Sequence, residues 1–137
     1  MGRTRPDVGE PRPLNIALGE AGLGVVFKPY CAEMMRELWR RQAKRRGANS
    51  RDMHEHLLRD YPDKRRDISR ASVILELNNF VGWGILSYTE KTGKGGHHRV
   101  YRAKVTEEEF WVWLAERTCK VLREASNMPD LFNRLLQ

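Results

Sequence analysis

Residues 68–105 of the 137-residue chain read "ISRASVILELNNFVGWGILSYTEKTGKGGHHRVYRAKV", and this stretch decides the fold. Its first part predicts a helix, because Ser69 is a preferred N-cap residue and Gly82 and Gly84 end the pattern. Apolar residues recur at helical spacing on one face of this helix. They are Val73, Leu77, Phe80 and Val81. The second part holds two short β-prone runs, ILSYT and RVYRAKV, with turn residues between them, which predicts a β-hairpin.

The middle of this segment, "TGKGGHHR", permits three interpretations. A phosphate-binding P-loop has Ser or Thr after its Gly-Lys and opens a helix, whereas here two glycines and a predicted strand follow. A zinc site needs about four ligands, and the adjacent His97 and His98 would point to opposite faces of a strand. The pattern therefore favours the glycine-rich, basic tip of a hairpin. We predict no metal, no cofactor and no catalytic residues, and we do not expect an enzyme.

Two helices are predicted before this segment. The first covers residues 30–45, and Gly47 just beyond it is the residue that stops the helix. Its buried stripe lies opposite a strongly basic face. The stripe consists of Cys31, Met34, Met35 and Leu38. The second covers residues 49–61 and begins at a polar N-cap. His54 and His56 lie two residues apart, so we expect them to point to different sides of this helix and to face solvent.

A long helix is predicted after the hairpin. Thr106 and Glu109 have the spacing of a capping box, and three consecutive acidic residues suit the positive end of the helix dipole. The apolar residues that follow are spread over more than one face, so a small domain cannot bury all of them. They are Phe110, Trp111, Trp113, Leu114, Val121, Leu122 and Ala125.

The chain is basic, with 25 Lys and Arg against 18 Asp and Glu, a net charge of +7 and a pI of about 9.8. A positive surface attracts polyanions. The excess charge is concentrated in two stretches. Residues 36–70 hold 12 basic and 6 acidic side chains, and residues 90–104 hold 5 basic and 1 acidic. Nucleic acid is therefore the favoured class of partner.

The cysteine pattern and the absence of long apolar runs bear on localisation. Cys31 and Cys119 are isolated thiols far apart in the sequence, which indicates two reduced cysteines rather than a disulfide framework. The sequence shows no apolar leader, and its longest uncharged run, residues 77–89, is too short and too glycine-broken to span a bilayer. We expect a cytoplasmic protein with no membrane partner.

The order of elements, with helices, then a hairpin with a basic tip, then a long helix, is typical of a winged helix-turn-helix. From about residue 32 to residue 110 the chain resembles the winged-helix regulators of the penicillinase-repressor and MarR-type families. The stretches that carry the resemblance are "AEMMRELWRR", "ISRASVILELNNFVGWGILSYTEK" and "HHRVYRAKVTEEEF". The second contains the pattern Ser-(Lys/Arg)-x-(Thr/Ser)-Val. The resemblance implies a homodimer that binds palindromic operators and dimerises through helices flanking the winged module.

The predicted fold class is mainly α with a small β-hairpin, a winged helix-turn-helix with an extra C-terminal dimerisation helix. Residues 1–13 are expected to form a disordered basic arm, because they are rich in Pro, Gly and charge. Residues 14–105 form the predicted DNA-binding domain, and residues 106–137 form the predicted dimerisation segment.

We expect a sequence-specific DNA-binding transcriptional regulator, by resemblance a repressor, that acts on double-stranded DNA as a homodimer. A recognition helix over about residues 69–81 lies in the major groove, and a wing over about residues 90–99 lies on the backbone or in the minor groove. The predicted contacts are Ser69, Arg70, Ser72, Asn78 and Asn79 on the helix, and Lys91, Lys94, His97, His98 and Arg99 on the wing. This prediction requires both elements to share one positive surface. No residue identifies a small-molecule effector.

One feature of the predicted recognition helix departs from the family pattern. Ile74 and Leu75 stand where relatives often carry polar or basic residues. Leu75 would contact either thymine methyl groups or another protein. The alternative hypothesis is a winged-helix protein–protein interaction or assembly module without operator specificity. In that case Ile74, Leu75 and Trp83 would form an exposed apolar docking face.

Overall fold

The computed structural model describes residues 11–61, 68–93 and 96–135, except for the side chains of Phe132 and Leu135. The chain divides into two compact units at the Lys104–Val105 bond. In the described part of the first unit, a 3₁₀ turn at Gly22–Val25 precedes the main elements. These are α1 (Pro29–Ala43), α2 (Ser50–Asp60), α3 (Arg70–Trp83), β1 (Leu86–Gly93) and β2 (Gly96–Ala103). The second unit contains α4 (Glu107–Ser126) and α5 (Pro129–Leu135).

The described elements are mainly helical, with three helices, a two-stranded antiparallel hairpin and then a long C-terminal helix. This order is consistent with the topology of a winged helix-turn-helix and confirms the predicted fold class, while the dimerisation role of the last helix stays a prediction. No helix in the described ranges is both long enough and apolar enough to cross a membrane.

The core of the first unit lies between the three helices and the base of the hairpin. The predicted stripe of α1 is confirmed, because Cys31, Met34, Met35 and Leu38 are fully buried. The inward residues predicted for α3 are buried too: Val73, Leu77, Phe80 and Val81. Burying one such side chain stabilises the fold by about 1.5–3 kcal/mol, so these stripes set how the helices pack.

Local hydrogen bonds fix both ends of α3. Ser69 is the N-cap, and its Oγ accepts from the backbone N–H of Ser72 at 3.0 Å, as predicted. At the other end Gly84 adopts a left-handed conformation with φ of 90°, where glycine avoids the strain that a Cβ would bring. Asn49 caps α2 in the same way, and Asp52 completes a capping box there that the sequence analysis did not predict.

Residues on the two strands of the hairpin pair from Leu86–Ala103 at the base to Gly93–Gly96 near the tip. Tyr88 lies opposite Tyr101, with ring centroids 6.1 Å apart. Beyond the hairpin, Ala48 forms an isolated antiparallel bridge with Tyr101 through two backbone hydrogen bonds of 2.9 and 2.8 Å. The chain between α1 and α2 is therefore attached to the outer side of β2.

Gly47 has a different role from the predicted one. The helix α1 ends earlier, at Ala43, and Arg45 carries the left-handed turn with φ of 58°. A Cβ built on Gly47 would lie 2.5 Å from the backbone oxygen of Tyr101. Glycine is therefore needed at this position so that the backbone can approach β2 and form the Ala48–Tyr101 bridge.

The second unit consists of α4 and α5. Thr106 and Glu109 form the predicted capping box, with hydrogen bonds of 2.8 and 3.0 Å between side chain and backbone. Asn127 ends α4 in a left-handed conformation. Several large apolar side chains of this unit are exposed, namely Val112, Val121, Leu122, Met128 and Leu131. An apolar surface of this kind is typical of a protein contact.

We predict that Gly47→Ala destabilises the protein by about 1–3 kcal/mol, because the new methyl group displaces the Tyr101 carbonyl and strains the bridge to Ala48. The matched control is Gly19→Ala, because a Cβ on Gly19 meets nothing within 4 Å. Urea denaturation of both variants measures the difference. Equal midpoints for the two variants would show that the bridge tolerates a Cβ.

Candidate nucleic-acid interface

The amino end of α3 presents the first group of predicted DNA contacts. Ser69 and Arg70 are exposed, and Ser72 is half-buried. The hydroxyls of Ser69 and Ser72 are hydrogen-bonded to each other at 3.0 Å. Arg70 donates from Nε to the Oγ of Ser50 at 3.2 Å, which ties the start of α3 to the start of α2. Arg70 is thereby held by a neutral oxygen at an exposed helix N-terminus, where backbone N–H groups also favour anions.

Asn78 joins α3 to the hairpin. Its Oδ1 accepts from Nη1 of Arg99 at 2.9 Å and from the hydroxyl of Tyr101 at 2.6 Å. The guanidinium of Arg99 also lies over the ring of Tyr88, 4.5 Å from its centroid. Two residues that were predicted to contact DNA separately, Asn78 and Arg99, are thus partners of each other. Their bond holds β2 against the outward side of α3.

The prediction that Asn79 faces the major groove is wrong for this structure. Its side chain is only 6% exposed, and its Oδ1 accepts from the backbone N–H of Arg12 at 2.7 Å. Its Nδ2 is buried and has no hydrogen-bond partner among the described residues. Successive helical residues are rotated by about 100°, so Asn78 and Asn79 cannot both face outward from the same stripe. Only Asn78 lies on the side of α3 that faces the hairpin.

The side of α3 that carries Asn79 is covered by the chain that precedes α1. The guanidinium of Arg12 forms an ion pair with Glu76, a carboxylate that is 2% exposed. Lys28 and Tyr30 approach its other oxygen, at 3.2 and 3.4 Å. The indole of Trp83 donates to the backbone oxygen of Arg12 at 2.9 Å. We call Pro11 and Arg12 the N-terminal strap.

The N-terminal strap revises two predictions. Residues 11–13 were assigned to a disordered arm, yet Arg12 is fixed to α3, while residues 1–10 lie outside the described residues. Trp83 was placed on an exposed docking face in the alternative hypothesis. Instead it is half-buried and packs on Phe27 and Phe80, with ring centroids 6.1 and 5.4 Å away. The contact between Arg12 and Glu76 was not readable from the sequence, since the two residues are 64 positions apart.

The basic face of α1 is largely neutralised by the helix's own carboxylates. Arg40 bonds to both Glu33 and Glu37 at 2.9 Å, and Arg41 bonds to Glu37 at 2.8 Å. Arg36 lies 3.5 Å from Glu33. The arginines of α1 therefore contribute less positive charge to a phosphate-binding surface than the sequence suggested.

The prediction that both histidines of α2 face solvent is wrong for His56. Its ring is 6% exposed, and its Nε2 lies 2.7 Å from Glu33 and its Nδ1 3.1 Å from Asp60. His54 is half-buried, and its Nε2 lies 2.8 Å from the backbone oxygen of Ile68. Glu33 belongs to α1 and Asp60 belongs to α2, so each ring nitrogen of the buried His56 has a carboxylate beside it.

The pKa of Glu33 lies below its ordinary value. Burial of this carboxylate works against ionisation, but hydrogen bonds from His56 and Arg40 outweigh it. The pKa of Glu37 is lowered in the same way, with burial outweighed by hydrogen bonds from Arg41 and Arg40. The ionised carboxylates of Glu33 and Glu37 therefore stabilise the folded state relative to the unfolded state.

The wing residues fall into two groups. Lys91 and His97 are exposed and His98 is half-buried, whereas Lys94 lies outside the described residues. Lys91 pairs with His98 across the hairpin, and the Thr92 hydroxyl lies 3.3 Å from Nδ1 of His97. The position of the tip relative to the amino end of α3 therefore stays a prediction.

Two further observations concern metal-ligating residues and the cysteine of α1 in the described ranges. Within them, no group of three or more His, Cys, Asp or Glu residues is arranged to hold a metal ion. Cys31 is fully buried, and burial together with the nearby Glu76 raises the pKa of its thiol to about 12. A thiol of this kind is inert at neutral pH, since the thiolate is the nucleophile.

No family model, no curated protein and no solved structure matches the chain. The class of protein is therefore defined by topology and surface alone. It is a mainly α chain with the topology of a winged helix-turn-helix, whose hairpin is bonded to the outward side of its third helix. The likeness to particular regulator families stays a prediction.

We predict that Arg12→Ala destabilises the protein by about 1–3 kcal/mol, because the buried carboxylate of Glu76 loses its closest cation. The control is Arg51→Ala, since Arg51 and its partner Glu55 are both well exposed and such a pair contributes less than about 1 kcal/mol. Chemical denaturation measures both variants. Equal stability of the two would show that the N-terminal strap contributes no more than a surface ion pair.

We also predict an acid-induced loss of stability that depends on Glu33. Its unfolded-state pKa is near the ordinary value of 4.5 and its folded-state pKa is lower. The stabilisation is therefore complete above about pH 4.5 and is lost as the pH falls through the folded-state pKa. Glu33→Gln should flatten the dependence of the urea midpoint on pH in this range. Glu55→Gln, at an exposed position of α2, should leave it unchanged, and an unaltered profile for Glu33→Gln would contradict the assignment.

Proposed function

We propose that the chain is a DNA-binding transcriptional regulator of the winged helix-turn-helix class. In this proposal α3 lies in the major groove and the hairpin lies beside it on the sugar-phosphate backbone. The observation that carries the proposal is the bonding of Arg99 and Tyr101 to Asn78, which makes the hairpin and the outward side of α3 a single surface. A helix with a hairpin held at its side has the dimensions to enter a groove and to contact the flanking strand.

The charge of this surface supports the proposal. Arg70 is exposed at the start of α3, and Arg99 lies at the junction with the hairpin. Lys91 is exposed further along β1. The only carboxylate of α3, Glu76, is buried on the opposite side beneath the N-terminal strap. DNA phosphates on the outward side of α3 would therefore lie near cations, and the helix presents no carboxylate of its own on that side.

We propose that the regulator acts as a homodimer through its second unit. The exposed apolar residues of α4 and α5 form a surface that a second copy would cover, and two-fold proteins bind sites with matching symmetry.

When the protein selects duplexes from a random library, the bound fraction should therefore be enriched in sequences with two inverted half-sites. Repression, rather than activation, rests only on the family resemblance.

The first test compares two variants that each remove one positive charge. Arg70→Ala should raise the Kd for a selected duplex by the equivalent of about 1–3 kcal/mol, because Arg70 sits at the helix end that enters the groove. Arg36→Ala, on the neutralised face of α1, should change it little. Fluorescence anisotropy at several salt concentrations measures Kd. The logarithm of the association constant should fall with the logarithm of the salt concentration, with a slope of about −0.9 for each phosphate contact.

Two outcomes would count against the proposal. Equal effects of the two substitutions would mean that only net charge matters, and α3 would lose its role in the groove. Failure to retain any duplex at moderate salt would favour the second candidate function, a protein-interaction module. That candidate is supported by the exposure of Leu75 and Ile74, at 67% and 38%, but no longer by Trp83.

A further inference from the structure

The outward side of α3 offers few polar groups that could read bases. Oδ1 of Asn78 already accepts two hydrogen bonds, from Arg99 and Tyr101. Asn79 is buried on the other side of the helix. The hydroxyls of Ser69 and Ser72 bond to each other at the amino end. Hydrogen-bonding readout from the middle of α3 is therefore limited.

The same side carries an apolar stripe. Ala71, Ile74 and Leu75 lie at i, i+3 and i+4, so they share one face of the helix. Leu75 is 67% exposed and Ile74 is 38% exposed. Asn78 follows on the same face, one turn after Ile74. We call Ala71, Ile74 and Leu75 the apolar stripe of α3.

Charge decides which occupant fits this stripe. Arg70 lies at its start, and the guanidinium of Arg99 lies at Asn78, at its far end. The helix's own carboxylate points away and is neutralised by Arg12. An apolar surface between two cations suits a polyanion with apolar groups between its charges. The major groove of DNA has this chemistry, because the C5-methyl groups of thymine line its floor between two rows of phosphates.

We propose that the apolar stripe of α3, and Leu75 above all, recognises thymine methyl groups, so that the preferred sites carry thymine opposite the middle of the helix. This inference rests on the proposed function as a DNA-binding protein. Contact with a methyl group removes apolar area from water on both partners, and that gain is absent where the base lacks the methyl group.

The test uses two 30-base-pair duplexes, one of alternating dA and dT and one of alternating dA and dU. They have the same charge and the same base pairing and differ only in the C5-methyl groups. Fluorescence anisotropy of the full chain at one salt concentration gives Kd for each. We expect tighter binding to the thymine duplex by about fourfold for each methyl group contacted. Leu75→Ser should abolish this preference, whereas Arg70→Ala should weaken binding to both duplexes and keep the preference.

The outcomes separate this inference from the function on which it rests. Binding to both duplexes with equal affinity would overturn the methyl readout and leave DNA binding intact. A thymine preference that persists in Leu75→Ser would also overturn it, since the preference would then come from the shape or stiffness of the duplex. Absence of binding to either duplex, or to any selected duplex, would overturn DNA binding itself. Because Leu75 is exposed, its substitution leaves the core unchanged, and a thermal melt checks this.

Discussion

Tyr101 is the residue on which the geometry of the first unit depends. Its backbone N–H and C=O pair with Ala48, its ring lies against Tyr88, and its hydroxyl donates to Asn78. A buried tyrosine hydroxyl needs a hydrogen-bond partner, because leaving it without one costs the desolvation free energy of the group. The single side chain therefore fixes the hairpin to α3, while its backbone fixes the hairpin to the chain between α1 and α2. The absence of a side chain on Gly47 is what lets these segments come so close.

This constraint gives α3 two different sides. One side is closed, because Arg12 neutralises Glu76 and accepts from the indole of Trp83. The other side is open, with Leu75 exposed and the hairpin held along its edge at Asn78. Contacts on one side of α3 and along its edge hold the helix in a defined position. A surface that is already ordered loses less conformational entropy on binding. The surface that the proposed function requires thus follows from contacts that also stabilise the fold.

The elements of the fold were predictable because their signals are local. Ser69 caps α3, Thr106 and Glu109 form a capping box, and the apolar stripe of α1 marks its buried face. The partners of polar side chains were not predictable, because they come from distant parts of the chain. Arg12 finds Glu76 across 64 residues, and His56 finds Glu33 across 23. The misplaced Asn79 shows the same limit, since helical periodicity separates it from Asn78 but only the packed structure tells which of the two faces inward.

Charge illustrates why composition alone was a poor guide to the surface. Of the basic residues between positions 36 and 70, those of α1 form ion pairs with Glu33 and Glu37. Such an arginine must give up its carboxylate before it can bind a phosphate, so the net gain in binding free energy is small. Arg70 differs in kind, because among the described residues its hydrogen bond goes to the neutral hydroxyl of Ser50. Among the described residues its charge is not paired with a carboxylate, and it lies at the helix end where the backbone dipole has the same sign. In the part of the chain that the structure describes, the internal ion pairs thus neutralise arginines of α1 and leave the charge of Arg70 at the exposed start of α3.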